Sequence, residues 1–555
     1  MSNQKTNKAF AEFPAKDDAV SPLVRSAEAE TVEKYLTDES VILKGSADEV
    51  VFPETEIQVA EILKEANEKK IQVTISGAGT GITGSRVPFG GIVLSTEHLT
   101  KVLKRDSLPS TSFKDPATGI EYEFCVAKNE HYVIAPSAIS IESLQKAVER
   151  EGLFYPIDPT EKSAFLGGTV ATNASGAKTF HYGPTREWVR RARVVLPNGD
   201  VLDIKRGSVF ANDKEEFEIA LTNGETARFR TPSYRMPKVK NAAGFFAKER
   251  MDLIDLFIGC EGTLGVFTEI EVSVTDRPEK IFECLAYFPT TNDAILFCDE
   301  ARQIKRKKEP NGELGLVAPL SLEFFDRCSL EIQRSKHPDI PANAKAAILF
   351  EQAISEEKLF DCLSQWNVLF ERHHVVNSWF PMDQRDKVKL TEMRHSLPEG
   401  INDYVRLKGT HKVATDIAVP ADKFKEMTRF HVDVGLEMQL MRVIKDLRLT
   451  YDKGVFEGLP LPERVKFVED QTGITTSGGS RSVSSSEADY DSLADRIDAI
   501  RRSSKTEVAY AIFGHIGDYH LHFNFLPSTA EELEQMKKAS YRLAKKGVEL
   551  GGTIT

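Results

Sequence analysis

Three histidines stand within eight residues near the C-terminal end of the sequence, in FGHIGDYHLHFNFLP: His515, His520 and His522. In a strand, residues of equal parity share a face, so His520 and His522 would point the same way. His515 joins them only if the Gly517-Asp518 pair turns the chain. Imidazole nitrogens that meet at a cleft are good ligands for zinc or another borderline divalent metal. The spacing predicts a metal site, the alternative being a surface strand with incidental histidines.

A glycine-rich loop, SGAGTGITGSRVP, follows the predicted strand Ile71–Ser76. Its glycines fit the G-x-G-x-x-G pattern of NAD-binding folds, but that pattern must open a helix whose N-terminus holds the pyrophosphate. Pro88, Gly90 and Gly91 exclude such a helix here. The loop instead joins two strands, and its bare N–H groups can form an anion-binding nest. This predicts phosphate binding, disfavours an NAD-dependent dehydrogenase, and leaves a simple turn as the alternative.

Two further segments are rich in small residues, Asp158–Val189 and Ile258–Ile270. Glycine and alanine let the backbone approach a flat ligand closely. The alternative is a small-residue face on which a helix packs. Together with the glycine-rich loop, the two segments favour a site for a large, flat, phosphate-bearing cofactor.

The three segments, in this order, resemble the FAD-binding domain of the vanillyl-alcohol oxidase superfamily, the PCMH-type flavoproteins. From about Val41 the chain resembles the FAD-linked D-lactate, glycolate and D-2-hydroxyglutarate dehydrogenases. The resemblance implies an enzyme that oxidises a small D-2-hydroxy acid to the 2-oxo acid by hydride transfer to FAD. No His or Cys lies between Ile75 and Pro88, so we expect non-covalent FAD. The resemblance implies the following cofactor-binding residues: Gly77, Gly79, Thr80, Gly81, Ile82, Thr83, Gly84, Asp158, Pro159, Thr160, Gly167, Gly168, Thr172, Asn173, Gly176, Tyr182, Glu261, Gly262 and Val266.

The same resemblance gives roles to the histidine stretch, where the family carries H-x-G-D-G-N-L-H. It implies that His515 and His522 are metal ligands and that Asn524 lies near the substrate. Tyr519 and His520 stand where the family has Gly-Asn, which alters the shape of the pocket.

The resemblance also implies substrate-binding cations at Arg394 and Lys412. Arginine offers a planar fork that suits a carboxylate, so Arg394 is the expected anchor. We expect Lys412 to neutralise the hydroxyl oxygen. The family's Glu-His-Gly segment, which carries a third ligand and the catalytic base, has no counterpart before Thr555. We therefore interpret the chain as truncated, expect weaker metal binding, and take His520 as the candidate base.

Bulk composition narrows the class of protein. A length of 555 residues exceeds what one core normally serves, which predicts several domains. Hydrophobic residues at 41% and charged residues at 28% are typical of a globular chain. The net charge of −12 disfavours a nucleic-acid partner.

Six cysteines without a C-x-x-C pair are typical of a protein in a reducing compartment. With no apolar run long enough for a membrane span, we expect a cytoplasmic protein, peripheral to a membrane only through its electron acceptor.

The elements expected around these motifs form an α+β fold. Helical periodicity predicts helices in TEIQVAEILKEANEKK and SIESLQKAVEREG, and Asn198-Gly199 predicts a hairpin turn. The charged stretch 429–499 contains a Gly/Ser-rich loop that we expect to be mobile. The expected organisation is a flexible lead-in 1–40, an FAD-binding domain of two subdomains 41–277, a cap 278–504 with an antiparallel sheet and flanking helices, and a C-terminal segment 505–555.

Two other functions remain open on the sequence. One is an FAD-dependent oxidase of alcohols or sugars, which needs neither Arg394 nor a metal. The other is a flavin-binding protein without turnover, in keeping with the absent Glu-His-Gly segment. The electron acceptor of a dehydrogenase is not identified by any motif.

Overall fold

The structure is a computed structural model that describes residues 21–40, 42–220, 226–306, 315–474 and 490–554. The chain forms two compact units. The first takes the described residues up to Met236 together with Ala242–Pro278. The second takes Pro237–Asn241 and the described residues from Glu279 onward.

The first unit contains a four-stranded and a six-stranded sheet, with strand orders β1-β2-β4-β3 and β10-β9-β13-β7-β6-β5, and two two-stranded sheets, β11-β12 and β14-β8. The strands are β1 Val24–Ser26, β2 Glu49–Phe52, β3 Val73–Ser76, β4 Ile92–Ser95, β5 Thr111–Lys114, β6 Glu121–Ala127, β7 Tyr132–Pro136, β8 Leu153–Phe154, β9 Val189–Val195, β10 Val201–Lys205, β11 Glu216–Ala220, β12 Thr226–Arg230, β13 Val266–Ser273 and β14 Thr275–Asp276. The helices are α1 Ala29–Glu33, α2 Glu56–Lys69, α3 Ile141–Arg150, α4 Leu166–Ala171, α5 Thr179–Tyr182, α6 Thr185–Trp188 and α7 Leu253–Phe257.

Local signals explain both long helices of this unit. Helix α2 begins where the Thr55 side chain accepts the Gln58 N–H, and α3 begins where Ser140 accepts the Ser143 N–H. Such N-caps satisfy backbone donors that the first helical turn leaves without partners. Both helices bury one apolar face; in α3 this face includes Leu144, which is fully buried. The two helices predicted from periodicity are therefore present.

The first sheet places the glycine-rich loop. Strands β3 and β4 pair in parallel, with Ile75 opposite Leu94, so the chain between them must cross from one end of the sheet to the other. In the second sheet, β9 and β10 form the predicted hairpin, and Gly199 takes the left-handed φ of +86° that its turn requires.

The described part of the lead-in contains regular structure. Strand β1 pairs antiparallel with β2, and the apolar side chains of Val32 and Leu36 pack with Val50 and Phe52. A few apolar residues suffice here because the segment adds to a sheet edge rather than forming a core of its own. The expectation of a flexible lead-in is corrected for this part of it.

The second unit is one antiparallel sheet with helices. Its strand order is β18-β15-β17-β16-β20-β21-β19-β22. The strands are β15 Lys280–Phe288, β16 Ser321–Asp326, β17 Ala346–Ile354, β18 Asn377–Trp379, β19 Val413–Ala418, β20 Tyr510–Gly514, β21 His520–Phe525 and β22 Thr553–Ile554. The helices are α8 Thr291–Arg306, α9 Arg327–Arg334, α10 Leu359–Arg372, α11 Gln384–Leu407, α12 Phe424–Asp446, α13 Lys453–Gly458, α14 Leu461–Thr472, α15 Tyr490–Ser503 and α16 Ala530–Glu549.

The charged stretch 429–499 contains packed helices. Helices α12 to α15 share a core that includes Leu440, Val443, Val465 and Ile497. The charged composition of the stretch did not reveal this apolar core. The Gly/Ser-rich loop that we expected to be mobile, residues 475–489, lies outside the described residues.

The α+β class predicted from the sequence is confirmed. The first unit combines helices with a mixed sheet and an antiparallel sheet, and the second combines helices with an antiparallel sheet. Among the described helices, none combines the length and the apolar character that a membrane crossing requires.

Candidate active site

The glycine-rich loop follows β3 and contains no helix before β4, in keeping with Pro88, Gly90 and Gly91 in its second half. Gly79 and Gly84 adopt left-handed φ values of +82° and +83°. The backbone N–H groups of residues 79–83 donate to no atom within the described ranges, whereas the Gly84 N–H donates to Asp38. Consecutive N–H groups without partners are what an anion-binding nest offers to a phosphate.

The glycines of the second segment have two different roles. A β-carbon on Gly176 would lie 1.8 Å from the peptide oxygen of Asp158, and one on Gly167 would lie 2.8 Å from Ser137 Cβ. These two glycines therefore pack against the protein's own chain. A β-carbon on Gly168 would meet no atom within 4 Å, so Gly168 leaves space for a ligand.

The carboxylate of Asp158 forms ion pairs with two lysines of the chain. Its two carboxylate oxygens each lie 2.9 Å from an ammonium group, Lys162 on one side and Lys178 on the other. Burial would raise the pKa of Asp158, but the two lysines lower it to about 2. Pro159 is half-buried and Thr160 exposed, so the chain reaches the surface directly after this ion pair.

The polar residues that follow are placed by helix α4. The exposed Thr172 hydroxyl donates to the Gly168 carbonyl oxygen, and the buried Asn173 side chain accepts the Arg186 N–H at 3.0 Å. Tyr182 ends helix α5. Thr172 and Asn173 thus stabilise the turn that follows α4.

The third segment joins the other two. The Glu261 N–H donates to the Ala171 carbonyl oxygen at 2.8 Å. Gly262, with a φ of +76°, packs so closely that a β-carbon would lie 3.2 Å from Ile75 of β3. Val266 is buried as the first residue of β13. The three glycine-rich segments, far apart in the sequence, therefore lie together.

The residues of this site fit FAD. Gly81 and Gly168 leave open space in front of the backbone, and the apolar side chain of Ile82 is 56% exposed beside Gly81. The buried Ser137 hydroxyl has no hydrogen-bond partner within the described chain. Bare N–H groups suit a pyrophosphate, and small residues beside unpaired polar atoms suit a flat, polar-edged ring.

The three histidines of the second unit meet as one cluster. A 3-10 turn, Ile516–Asp518, and the left-handed Tyr519 (φ +57°) reverse the chain between β20 and β21. The ring centroids of His520 and His522 are 4.8 Å apart. The ring of His515 lies 5.1 Å from that of His522 and 5.7 Å from that of His520. The turn needed to bring His515 to the other two is present.

Two carboxylates from other strands reach this cluster. Asp416 of β19 stands directly opposite His522 in the strand register, and its Oδ1 lies 2.6 Å from His522 Nδ1. Glu323 of β16 brings its Oε1 to 3.4 Å from His515 Nδ1. The contact between Asp416 and His522 is a hydrogen bond, which fixes the His522 tautomer and leaves Nε2 as an acceptor or ligand. His515 Nδ1 makes no hydrogen bond within the described residues.

Burial keeps two of the histidines neutral. It lowers the pKa of His515 and of His520 well below the usual range, and the nearby Lys240 ammonium adds to both effects. Burial would raise the pKa of Asp416, but its hydrogen bond to His522 and the neighbouring imidazoles lower it below the usual range. Neutral imidazoles beside an ionised carboxylate are the protonation states in which these groups bind metals.

The cluster fits a divalent metal ion. One ligand atom each from Asp416, His520 and His522 lies within 4.8 Å of the others. Nitrogen and carboxylate oxygen are the donors that zinc takes in catalytic sites with three protein ligands. His515 stands next to this set, on the side of Glu323.

The expected substrate-binding residues are placed around the same cluster. Arg394 of α11 directs Nε and Nη2 onto the two carboxylate oxygens of Glu323, at 2.8 and 2.9 Å. Lys412 directly precedes β19. Burial lowers the pKa of Lys412, although the negative charge of Asp416 acts to raise it. Asn524 is buried on β21, two residues beyond His522 and on the same face.

Four charged residues of this site were missed from the sequence: Asp416, Glu323, Lys240 and Asp518. A signal existed for the first two, since each is an acid inside an otherwise apolar strand pattern, VATDIA and SLEFFD. Buried acids in such positions call for partners. Nothing local in the sequence indicates which histidine each acid meets.

Comparison with known proteins agrees with this geometry. The chain matches the FAD binding domain family over residues 47–205 and the C-terminal domain of FAD linked oxidases over residues 315–432 and 477–555. Together the two matches cover more than half of the chain. The gap between the last two ranges lies within the helical stretch 429–499.

Relatives with curated names point the same way. Glycolate oxidase subunit GlcD of Bacillus subtilis is 24% identical over 94% of this chain and 82% of its own length. A D-lactate dehydrogenase of Anaerostipes hadrus is 29% identical over 59% of this chain and 55% of its own length. A D-2-hydroxyglutarate dehydrogenase of Stutzerimonas stutzeri is 25% identical over 74% of each chain.

The fold has a counterpart among solved structures. An alkyldihydroxyacetonephosphate synthase aligns with a TM-score of 0.56 at 14% identity, covering 96% of this chain and 77% of the other. At that identity the likeness concerns the fold. The family resemblance predicted from the three glycine-rich segments is confirmed, and the chain belongs to the FAD-linked PCMH-type oxidoreductases.

Proposed function

We propose that the chain oxidises a small D-2-hydroxy acid to the 2-oxo acid, with FAD as the electron acceptor and a divalent metal at the histidine cluster. The observation that carries this proposal is the cluster itself. Asp416, His520 and His522 offer three ligand atoms within 4.8 Å, and cations line the same region. An oxidase of simple alcohols or sugars needs neither feature. The names of the relatives, which include D-lactate and D-2-hydroxyglutarate dehydrogenases, support the same substrate class.

The reaction removes two hydrogens from the substrate. The Cα–H bond breaks with both electrons, the hydroxyl loses its proton, and the C–O bond becomes the carbonyl of the 2-oxo acid. Bound FAD would supply the hydride acceptor. A bound divalent metal would supply Lewis acidity that lowers the pKa of the hydroxyl. Electrons then pass to an acceptor outside this chain, which we leave unassigned.

The geometry favours an exchange of roles between two histidines. From the family resemblance we expected His515 as a ligand and His520 as the base. His520, however, groups with Asp416 and His522 by ligand-atom distance. His515 stands beside this set, and burial lowers its pKa, so its neutral imidazole can accept a proton. We therefore assign metal binding to Asp416, His520 and His522, and removal of the hydroxyl proton to His515.

We assign two cationic side chains and one amide side chain to substrate binding. Arg394 is the candidate anchor for the substrate carboxylate, and its fork is oriented by Glu323. Lys412 would stabilise negative charge that develops on the hydroxyl oxygen. Asn524, fixed on the face of β21 that carries the histidines, would orient the substrate through its amide.

An anaerobic absorbance titration of the purified protein tests the proposal. D-lactate, glycolate and D-2-hydroxyglutarate are added in turn, with zinc and after chelation. We expect one of them to bleach the oxidised-flavin band in the metal-loaded protein only. His522→Ala should abolish the bleaching, whereas His374→Asn, at an exposed histidine of the same unit, should not change it. A yellow protein that none of the three acids bleaches would overturn the proposal and leave a flavin-binding protein.

A further inference from the structure

A five-residue arm brings a lysine into the histidine cluster. Residues 237–241 pack with the second unit although the chain on both sides of them belongs to the first. Within this arm, Asn241 Oδ1 accepts a hydrogen bond from Thr553 of β22. The adjacent Lys240 places its Nζ 3.5 Å from Oδ2 of Asp518, which lies in the turn between His515 and His520.

Lys240 is buried with little hydrogen bonding. Its side chain is 9% exposed, and its ammonium group makes one hydrogen bond, a long one of 3.5 Å to Asp518 Oδ2. An ammonium carries three donors. A buried charge is costly unless it is paired and hydrogen-bonded, so a buried ammonium with one long contact indicates an anionic group that is not part of the chain.

The acids around Lys240 are engaged elsewhere. The negative charges of Asp518, Asp416 and Glu323 all favour the charged form of Lys240. Glu323 is bound by the fork of Arg394, and Asp416 is bound by His522.

Asp518 makes a direct but long ion pair with Lys240, at 3.5 Å. At that distance the contact only partly balances the charge of the buried ammonium group.

We propose that the Lys240 ammonium binds a carboxylate oxygen of the hydroxy acid, as a second substrate-binding cation beside Arg394. The inference rests on the proposed function and goes beyond it by naming a residue that no motif of the sequence indicates. Arginine acts through an oriented fork, whereas lysine acts as a compact point charge. The guanidinium group of Arg394 already binds Glu323. The Lys240 ammonium group has fewer hydrogen bonds within the protein, so a substrate carboxylate would gain more binding free energy from Lys240.

Binding of a substrate analogue that cannot react tests this role. The probe is 2-hydroxy-2-methylpropanoate, which has no hydrogen on Cα, and its neutral counterpart is the corresponding amide. Calorimetric titration of the FAD- and zinc-loaded protein gives both affinities without any turnover. Lys240→Met should weaken carboxylate binding at least tenfold and leave amide binding within twofold. Lys240→Arg should restore most of the loss, and Lys345→Met, at a lysine paired with Asp495, should change neither affinity.

The outcomes separate the two proposals. Carboxylate binding by Lys240→Met as tight as in the unaltered protein would overturn the role of Lys240 alone. An equal loss of acid and amide binding would also overturn it, because that pattern indicates lost packing. An unaltered protein that holds FAD and zinc but binds no hydroxy carboxylate would overturn the proposed function. If Lys240→Met does not fold, the double variant Lys240→Met/Asp518→Asn removes both buried charges and replaces it in the same titration.

Discussion

The glycine-rich site of the first unit and the histidine cluster of the second differ in the groups that they would offer to a ligand. In the first, these groups are backbone N–H donors, and the side chains are small or absent. In the second, they are side chains from strands β16, β19 and β21. A backbone site depends on local φ angles and on empty space, whereas a side-chain site depends on strand register. The two sites should therefore fail in different ways when single residues are changed.

The largest expected effect separates packing glycines from ligand-facing glycines in the first unit. Gly176→Ala would force a β-carbon against the Asp158 backbone and should destabilise the first unit by about 3 kcal/mol. Gly168→Ala should leave the unit as stable or slightly more stable, since alanine favours helix α4, but should weaken FAD binding. Thermal unfolding of the FAD-free protein and titration with FAD measure both. Equal behaviour of the two variants would contradict this distinction.

The next effect tests the carboxylate of the histidine cluster. Asp416→Asn replaces the carboxylate that we assign as a metal ligand and that also faces His522, and should lower zinc affinity by at least about 10-fold, because an amide brings no charge to the metal. FAD content should stay constant, because the glycine-rich site uses no metal. Competition with a chromogenic chelator gives the affinity, and Asp403→Asn, at an aspartate of α11 paired with Arg406, is the control. Unchanged zinc affinity in Asp416→Asn would remove Asp416 from the site.

A pH effect should distinguish the second unit. His431 of α12 is buried against Phe523, and burial lowers its pKa to about 3. Below pH 6.5 the unfolded histidine binds a proton that the folded one does not, so stability falls as the pH decreases. From pH 7 to pH 5 the loss from this group should be about 2 kcal/mol.

Urea unfolding of the second unit at the two pH values measures this loss. His431→Phe should reduce the difference by that amount, because phenylalanine fills the same space without a titrating nitrogen. A pH dependence identical in the variant and the unaltered protein would show that His431 is protonated in the folded state.

The smallest expected effect concerns the turn that gathers the histidines. Tyr519 adopts a left-handed φ of +57°, but its ring packs on the Arg302 guanidinium at 4.3 Å. Tyr519→Gly should relieve backbone strain and lose this contact, each worth about 1 kcal/mol, for a small net change in stability. Tyr519→Phe keeps the ring and is the matched control. A large loss of stability in Tyr519→Gly would show that the ring, rather than the turn, holds the cluster.

Much of the backbone site could be predicted from the sequence. The glycines of SGAGTGITGSRVP, the single proline Pro88 that helps to exclude a helix, and the two small-residue segments are local features. The helices α2 and α3 and the turn at Gly199 follow from periodicity, caps and a turn dipeptide in the same way. What the sequence could not separate is Gly176 from Gly168, because only the neighbouring chain shows which of them has space in front of it.

Only part of the histidine cluster could be predicted from the sequence. The shared face of His520 and His522 follows from strand parity, and the turn that returns His515 follows from Gly517-Asp518. The partners of these histidines come from residues 106 or more positions away in the chain, since Asp416 meets His522 through the pairing of β19 with β21. Glu323 reaches His515 through the neighbouring strand β16.

By itself, the sequence determined the family, the glycine-rich loop and the grouping of histidines, because each rests on residues that are close in the chain. The tertiary structure decided which acids lie beside the histidines, which glycines have open space in front of them, and that Lys240 approaches the cluster from a separate arm. These depend on strand order and register and on burial. Register and burial follow from the packing of the whole chain, and no short stretch of sequence contains them.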